Sequence, residues 1–392
     1  MIQIIEKESC TGCGACLISC PRHAITMRLD DEGFEYPQID NNICVDCGIC
    51  KKKCPPLHFE QTFINKIKLN NIQKAFAARN TNIKERLISS SGSIFAVLAR
   101  CILYQGGFVV GIAYDNQFNT IYKIIDNVDE LPTIQGSKYL QCRADLETFK
   151  IVEKELKKGR KILFSGLACQ VEGLQSFLGK DYSNLYCVDL ICMGIPSAQV
   201  WQKYLNTFFY GEKIIKVNFK EKSEGWKRFN LSITTDKQIF KQYGMINPYF
   251  KSMFNTYNMR KSCFVCPFKK KERAADITIA DCWGANTLVP EIDDDKGLSS
   301  VIVHTEKGME LWKLVASMIN EVELPIEEII KGNSNMVENR VCNERDRIQF
   351  YKLLNSGNCR KAFLFAERDG NLPPNIIVRL YNIIKTSIRR VL

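Results

Sequence analysis

The chain has 392 residues, 45% of them hydrophobic and 25% charged, with a net charge of +11, a composition that suits a globular protein with a substantial core. Residues 1–60 hold six Lys/Arg against nine Asp/Glu and the remainder 48 against 34, so a basic body able to attract anionic ligands or an acidic redox partner follows an acidic N-terminus. No run of about 20 apolar residues is uninterrupted, so no spanning helix is expected, and no Lys/Arg stripe interleaved with aromatics recommends nucleic acid.

Eight of the 18 cysteines lie in the first 54 residues as two copies of one pattern. Cys10, Cys13, Cys16 and Cys20-Pro21 form the first copy; Cys44, Cys47, Cys50 and Cys54-Pro55 form the second. In a bacterial two-cluster ferredoxin the fourth cysteine of each run ligates the other run's cluster. Cys10, Cys13, Cys16 and Cys54 are therefore expected to hold one [4Fe-4S] cluster, and Cys44, Cys47, Cys50 and Cys20 the second. Gly12, Gly14 and Gly48 give the backbone the freedom to wrap the thiols. Zinc sites use pairs of Cys-x2-Cys rather than triples. Disulfides call for an oxidising compartment, and the segment MIQIIEKESC has no charged n-region followed by an apolar stretch.

After a polar linker (61–73), strand and helix signals alternate. AFAAR (75–79) reads as a strand, IFAVLARCILY (94–104) as a helix with serines suited to its N-cap, and FVVGIAY and TIYKII as strands. A helix is expected near 145–157. KILFSG then runs as a strand into a small-residue turn and the helix ACQVEGLQSFL. NLYCVDLIC, DITIADCW and SSVIVHT read as strands; SAQVWQKYLNTFF and EKGMELWKLVASMIN read as helices. The expected fold is α+β or α/β: a dicluster ferredoxin domain (1–60), a mixed α/β domain (74–340) and a helical C-terminal extension (341–392). No G-x-G-x-x-G turn supports a Rossmann site.

Three turns carry candidate chemistry. Ser89-Ser90-Ser91-Gly92-Ser93 precedes a helix and reads equally as a phosphate cradle or an ordinary N-cap. Gly136-Ser137-Lys138-Tyr139-Leu140-Gln141 offers a cation and an aromatic edge. Ser165 to Gln170 places Cys169 at a helix start, where its thiol pKa should fall. Cys169, Cys192, Cys263 and Cys266 make four further thiols, the number that either a third [4Fe-4S] cluster or a structural zinc needs. The other six cysteines lie mostly in apolar segments and read as buried free thiols.

The segments SSSGSIFAVL, QGSKYLQC, SGLACQVEGL, VDLICMGIPS, KSCFVCPFK and DITIADCWG resemble, in order, those of the family of coenzyme F420 hydrogenase/dehydrogenase beta subunits. The resemblance implies FAD held by Ser91, Gly92, Ser93, Ser137, Lys138, Tyr139, Gln141 and Gly166. It also favours Cys169, Cys192, Cys263 and Cys266 as ligands of a third cluster beside the flavin. Three departures stand out: Ala168 replaces a proline, Met193 a histidine and Cys282 a phenylalanine.

The expected function is an iron-sulfur flavoprotein oxidoreductase that passes electrons, in either direction, between ferredoxin or another redox protein and a small organic substrate that it reduces or oxidises, with surface-polysaccharide biosynthesis as one setting. One alternative is a coenzyme F420 (deazaflavin) oxidoreductase; another is a non-catalytic electron-relay subunit. With three histidines in the chain, acid–base work falls to Lys138, Tyr139 and Asp281. A cytoplasmic location is expected. The basic amphipathic pattern of residues 375–392 suggests either peripheral membrane contact or packing on the body.

Overall fold

The computed structural model describes residues 3–59 and 73–368. The expected C-terminal amphipathic helix (375–392) lies outside them, as does nearly all of the expected linker. Among the described residues no helix is long and apolar enough to cross a membrane.

The N-terminal segment is built twice over. The helices Ala15–Ile18 and Ile49–Lys52 each follow a left-handed glycine, Gly14 (φ 80°) and Gly48 (φ 71°). That conformation, cheap for glycine alone, turns the chain between the second and third thiols of each run. Between the two copies runs a hairpin of β1 (Ile25–Leu29) and β2 (Glu35–Ile39), in register Ile25 to Ile39.

The body is an eight-stranded mixed sheet. Its strands are β3 (Lys74–Asn80), β4 (Phe108–Tyr114), β5 (Thr120–Ile125), β6 (Ile162–Leu167), β7 (Leu185–Leu190), β11 (Ile277–Asp281), β12 (Ser299–Val303) and β13 (Ile319–Leu324). Their order is β13-β3-β12-β11-β7-β6-β4-β5. The pairs β4/β6, β6/β7 and β7/β11 are parallel and the rest antiparallel. The parallel centre is covered on both sides, which explains why β6 is buried along nearly its whole length rather than at alternate residues. The helices Ile94–Tyr104 and Glu306–Leu314 bury Val97, Leu98, Ile102 and Trp312 on one face. The helices Leu146–Lys157 and Ala168–Leu178 bury Phe149, Val152, Val171 and Leu174 on the other.

A second sheet, absent from the sequence expectations, is β8 (Ile214–Glu221), β9 (Asn230–Thr235) and β10 (Ile239–Tyr243), antiparallel throughout. It packs on an aromatic core with Trp201, Tyr204, Tyr249 and Phe250. Phe350 and Phe363, from the helices Glu344–Asn355 and Cys359–Ala366, belong to that same core, so this part of the expected C-terminal extension is integral to the body.

Two local expectations are corrected. The helix begun at Glu306 stops at Leu314; a short turn follows and Ile319 opens β13, whose register with β3 (Ile319 to Asn80, Val322 to Ala77) outweighs the helical pattern of the segment. Ser93 does not cap its helix with its side chain. It is left-handed (φ 67°), and its hydroxyl contacts Ser89 at 3.0 Å and Asn80 at 3.4 Å. Gly92 is pressed against β3: a Cβ there would lie 2.4 Å from the Ala78 carbonyl. Gly92→Ala is accordingly expected to destabilise the chain by about 1–3 kcal/mol, as overpacking does, read as a lower urea midpoint with unchanged slope.

Candidate functional site

The carboxyl ends of β3, β4, β6, β7 and β11 share one edge of the main sheet, because Asp281 pairs with Ser299 and Ser299 with Ala78. Every candidate segment of the body borders that edge: the Ser89–Ser93 loop after β3, residues 136–141, Cys169 after β6, Cys192 after β7 and Asp281 at the end of β11. Ligands of open parallel sheets bind at such an edge.

The thiols fall into three sets. Cys10, Cys13, Cys16 and Cys54 line one cavity of about 330 Å³ including its open mouth, together with Gly12 and Gly14. Cys20, Cys44, Cys47 and Cys50 line a second of about 460 Å³. The crossed pairing expected from the spacing is thus present in the geometry. In the third set Cys169 lies within electrostatic reach of Cys266, Cys192 and Cys263. An apolar shell of Phe59, Ile195 and Phe268 surrounds it, and the Ile195 amide donates to Cys263 Sγ at 3.3 Å. Among the described residues no three His, Cys, Asp or Glu side chains close on one point at single-ion distance.

Burial and crowding raise several of these thiols. Cys16 is pushed well up by burial and by Cys13, Cys10 and Cys54. Cys54 is raised to about 12 by burial and Cys13, Cys192 to about 12 by burial and Cys263, and Cys263 to about 11 by burial. Cys169 corrects the sequence expectation: burial and neighbouring thiols push it well up, and its place at a helix start does not lower it. Crowded, partly buried thiols hold thiolates most readily around a cationic core, so sets of four such donors fit a metal centre.

The first and third sets adjoin. Cys13 is within electrostatic reach of Cys169. On the helix that begins at Ala168, a Cβ at Gly173 would stand 2.9 Å from Cys13 Cβ. Only glycine lets that helix approach so closely. Arg260, fully buried, spans the junction: its Nε donates to the Cys10 carbonyl at 2.6 Å, Nη2 to the Glu35 carbonyl at 2.9 Å and Nη1 to Gln141 Oε1 at 3.2 Å. Gln141 therefore faces the N-terminal module, with its Nε2 beside Gly12.

Gly166 lies within β6, in register with Asp189, and the strand passes directly into its helix without the expected turn. The Ser91 hydroxyl donates to the Leu298 carbonyl at 2.6 Å, and the Gly92 amide to Ser299 Oγ at 3.0 Å. The Ser137 amide donates to Ser90 Oγ, joining the two loops. Lys138 donates to the carbonyls of Gln135 and Gly136 and lies over the Tyr114 ring at 5.4 Å; burial lowers it to about 8. Beside it Tyr114 Oη and Gln135 Nε2 are buried without a hydrogen-bond partner.

Tyr139 and Asp281 meet through Lys220 of β8, which the sequence analysis missed. Lys220 Nζ lies 3.2 Å from Asp281 Oδ2 and over the Phe229 ring at 3.7 Å. Burial alone would depress this ammonium, but Asp281 and Tyr139 outweigh it and hold it above the ordinary lysine value. Burial raises the Tyr139 phenol, with Lys220 opposing. Trp226 Nε1 donates to Asp281 Oδ1 at 3.3 Å, its ring stacked on Trp283 at 5.4 Å. The alternating sequence IIKVNFKE was the signal that could have located Lys220 on a strand.

Residues 9–56 match the 4Fe-4S dicluster domain, so the chain is an iron-sulfur protein. Residues 159–328 match the family described as the C terminus of the coenzyme F420 hydrogenase/dehydrogenase beta subunit, and this segment belongs to that family. The chain is similar to a coenzyme F420-dependent sulfite reductase of Methanocaldococcus jannaschii, 24% identical over 80% of this chain and 47% of the relative. It also resembles one of the subunits of the F(420)H(2) dehydrogenase of Methanosarcina mazei, 21% identical over 49% of this chain and 55% of the relative. The chain thus spans about half the length of each. A chain of the F420-reducing [NiFe] hydrogenase complex of Methanosarcina barkeri aligns with a TM-score of 0.44 and 16% identity, over 75% of this chain and 91% of that one. The chain thus joins a 4Fe-4S dicluster segment to a segment related to F420-dependent hydrogenase and dehydrogenase subunits.

Proposed function

We propose that the chain is an iron-sulfur flavoprotein that passes electrons between its N-terminal clusters and the deazaflavin coenzyme F420, through a third [4Fe-4S] cluster on Cys169, Cys192, Cys263 and Cys266 and an FAD at the carboxyl edge of the main sheet. The observation that carries this reading is the assembly of those four thiols, from three separate segments, between the first thiol set and the Tyr139–Lys220–Asp281 group. Of the substrates expected from the sequence, the relatives' names favour deazaflavin over a surface-polysaccharide intermediate.

The fit to a polar, phosphate-bearing ligand rests on the unpartnered Tyr114 Oη and Gln135 Nε2 beside Lys138, and on a helix start that lacks a side-chain cap after Ser93. Helix amides left open in this way favour a phosphate. Ser91, Gly92 and Ser93 with Ser137, Lys138 and Tyr139 would hold the group. Bound FAD supplies the exchange between single electrons and a hydride. Lys220 keeps a positive charge at that edge, and Tyr139 Oη keeps its proton beside it. The three histidines are elsewhere: His304 is buried against Thr278, and burial lowers it to about 3, while His23 and His58 lie in the N-terminal segment.

Anaerobic protein reduced by dithionite, freed of excess reductant and mixed with oxidised deazaflavin, is expected to bleach the deazaflavin chromophore stoichiometrically with cluster reoxidation. Reduced clusters and flavin that leave the deazaflavin untouched would overturn the substrate.

A further inference from the structure

The charges of the N-terminal module are sorted by direction. Glu32 and Glu35 face the body, where Arg347 grips Glu32 with two nitrogens and Arg143 pairs with Glu35 at 3.0 Å. Asp30 is taken by Lys7 at 2.7 Å. Lys53 also turns inward, onto the carbonyls of Ser176 and Phe177. The opposite edge, around the second thiol set, is cationic and apolar. Arg22, Lys51 and Lys52 are exposed there, with Ile43, Val45 and Leu57 at 42%, 60% and 45% exposure; Asp40 and Asp46 are the carboxylates among them. Cys47 is itself exposed, whereas Cys10 and Cys54 of the first set are buried. On a module with an excess of acidic residues, three exposed cations thus outnumber two carboxylates where its outer thiol set reaches the surface.

We propose that this face docks an acidic protein carrying a one-electron centre, and that electrons enter or leave the chain through the cluster of Cys20, Cys44, Cys47 and Cys50. One electron moves between the carrier's centre and the cluster, oxidising one and reducing the other, with no bond made or broken. Exposed Val45, Ile43 and Leu57 supply apolar contact, and Arg22, Lys51 and Lys52 steer the acidic partner, the division of labour common at protein interfaces. The inference rests on electron traffic through the clusters, as in the proposed function, and is independent of deazaflavin.

The test follows cluster bleaching in the full-length chain by stopped flow, with a photoreduced acidic [2Fe-2S] ferredoxin as the probe. The rate of the parent is expected to fall steeply with salt. A triple Arg22→Glu, Lys51→Glu, Lys52→Glu variant with unchanged iron content should lose about tenfold or more at low salt, the range of electrostatic steering, and lose its salt dependence. The neutral pair Lys51→Gln, Lys52→Gln should fall between. A control reversing three exposed cations of the body, Lys84→Glu, Lys154→Glu and Lys216→Glu, should keep the parent rate. An unchanged rate in the triple variant, or an equal loss in the control, would overturn the proposal. Deazaflavin reduction is read separately, so loss of that activity with normal cluster bleaching would count against the substrate and not against this surface.

Discussion

A Cys263→Ser chain is expected to hold about eight irons where the parent holds about twelve, four for each [4Fe-4S] cluster. Cys263 is buried among Cys169, Cys192 and Cys266 and accepts the Ile195 amide at 3.3 Å. A serine there presents a hydroxyl in place of a thiolate, and the remaining three thiols, each raised by burial, favour the protonated state. The N-terminal runs contain no residue of this set, so their two clusters should stay. Electron delivery to deazaflavin should be lost while ferredoxin still bleaches the N-terminal clusters. A parent chain with one zinc and eight irons would assign the four thiols to structural zinc instead.

The second large effect is expected at Arg260. Replacing it by methionine removes the charged donor from the carbonyls of Cys10 and Glu35 and from Gln141, and empties the space over the Tyr36 ring, 4.1 Å from the guanidinium carbon. One buried and one part-buried carbonyl left unsatisfied at about 1–3 kcal/mol each predict a loss of about 2–6 kcal/mol. Because these contacts join the N-terminal module to the body, the loss should appear as an early urea transition of the module. Limited proteolysis should then release the first sixty residues sooner than in the parent. A single transition at the parent's midpoint would contradict this role.

How much of this was legible in the sequence depends on how local each interaction is. The grouping of the eight N-terminal thiols could be read from spacing: each triple lies within seven residues, and the repeat supplies the fourth thiol that the structure places with the other triple. The parallel strands were legible from apolar runs such as FVVGIAY and KILFSG. The third thiol set could be counted but not assembled, since three segments separated by β7, β8, β9 and β10 converge only in the fold. The roles of Lys220 and Arg260 could not be read for the same reason, because their partners lie 61 and 250 residues away. The β8–β10 sheet was missed although IIKVNFKE alternates, and its pairing, with register shifts at Ile214/Lys216 and Asn218/Glu221, emerges only in the fold. The helix begun at Glu306 was drawn too long because INEVEL fits either period until β3 is known to lie beside it.

The central claim is that three clusters stand in line between the outer face and the carboxyl edge of the sheet. Reductive titration of the anaerobic full-length chain, followed by electron paramagnetic resonance, tests it most directly. The account predicts three reducible cluster centres, with the signals of the first and third broadened by mutual magnetic coupling and the coupling to the third abolished in Cys263→Ser. Two centres only, with a spectrum identical in parent and variant, would contradict it.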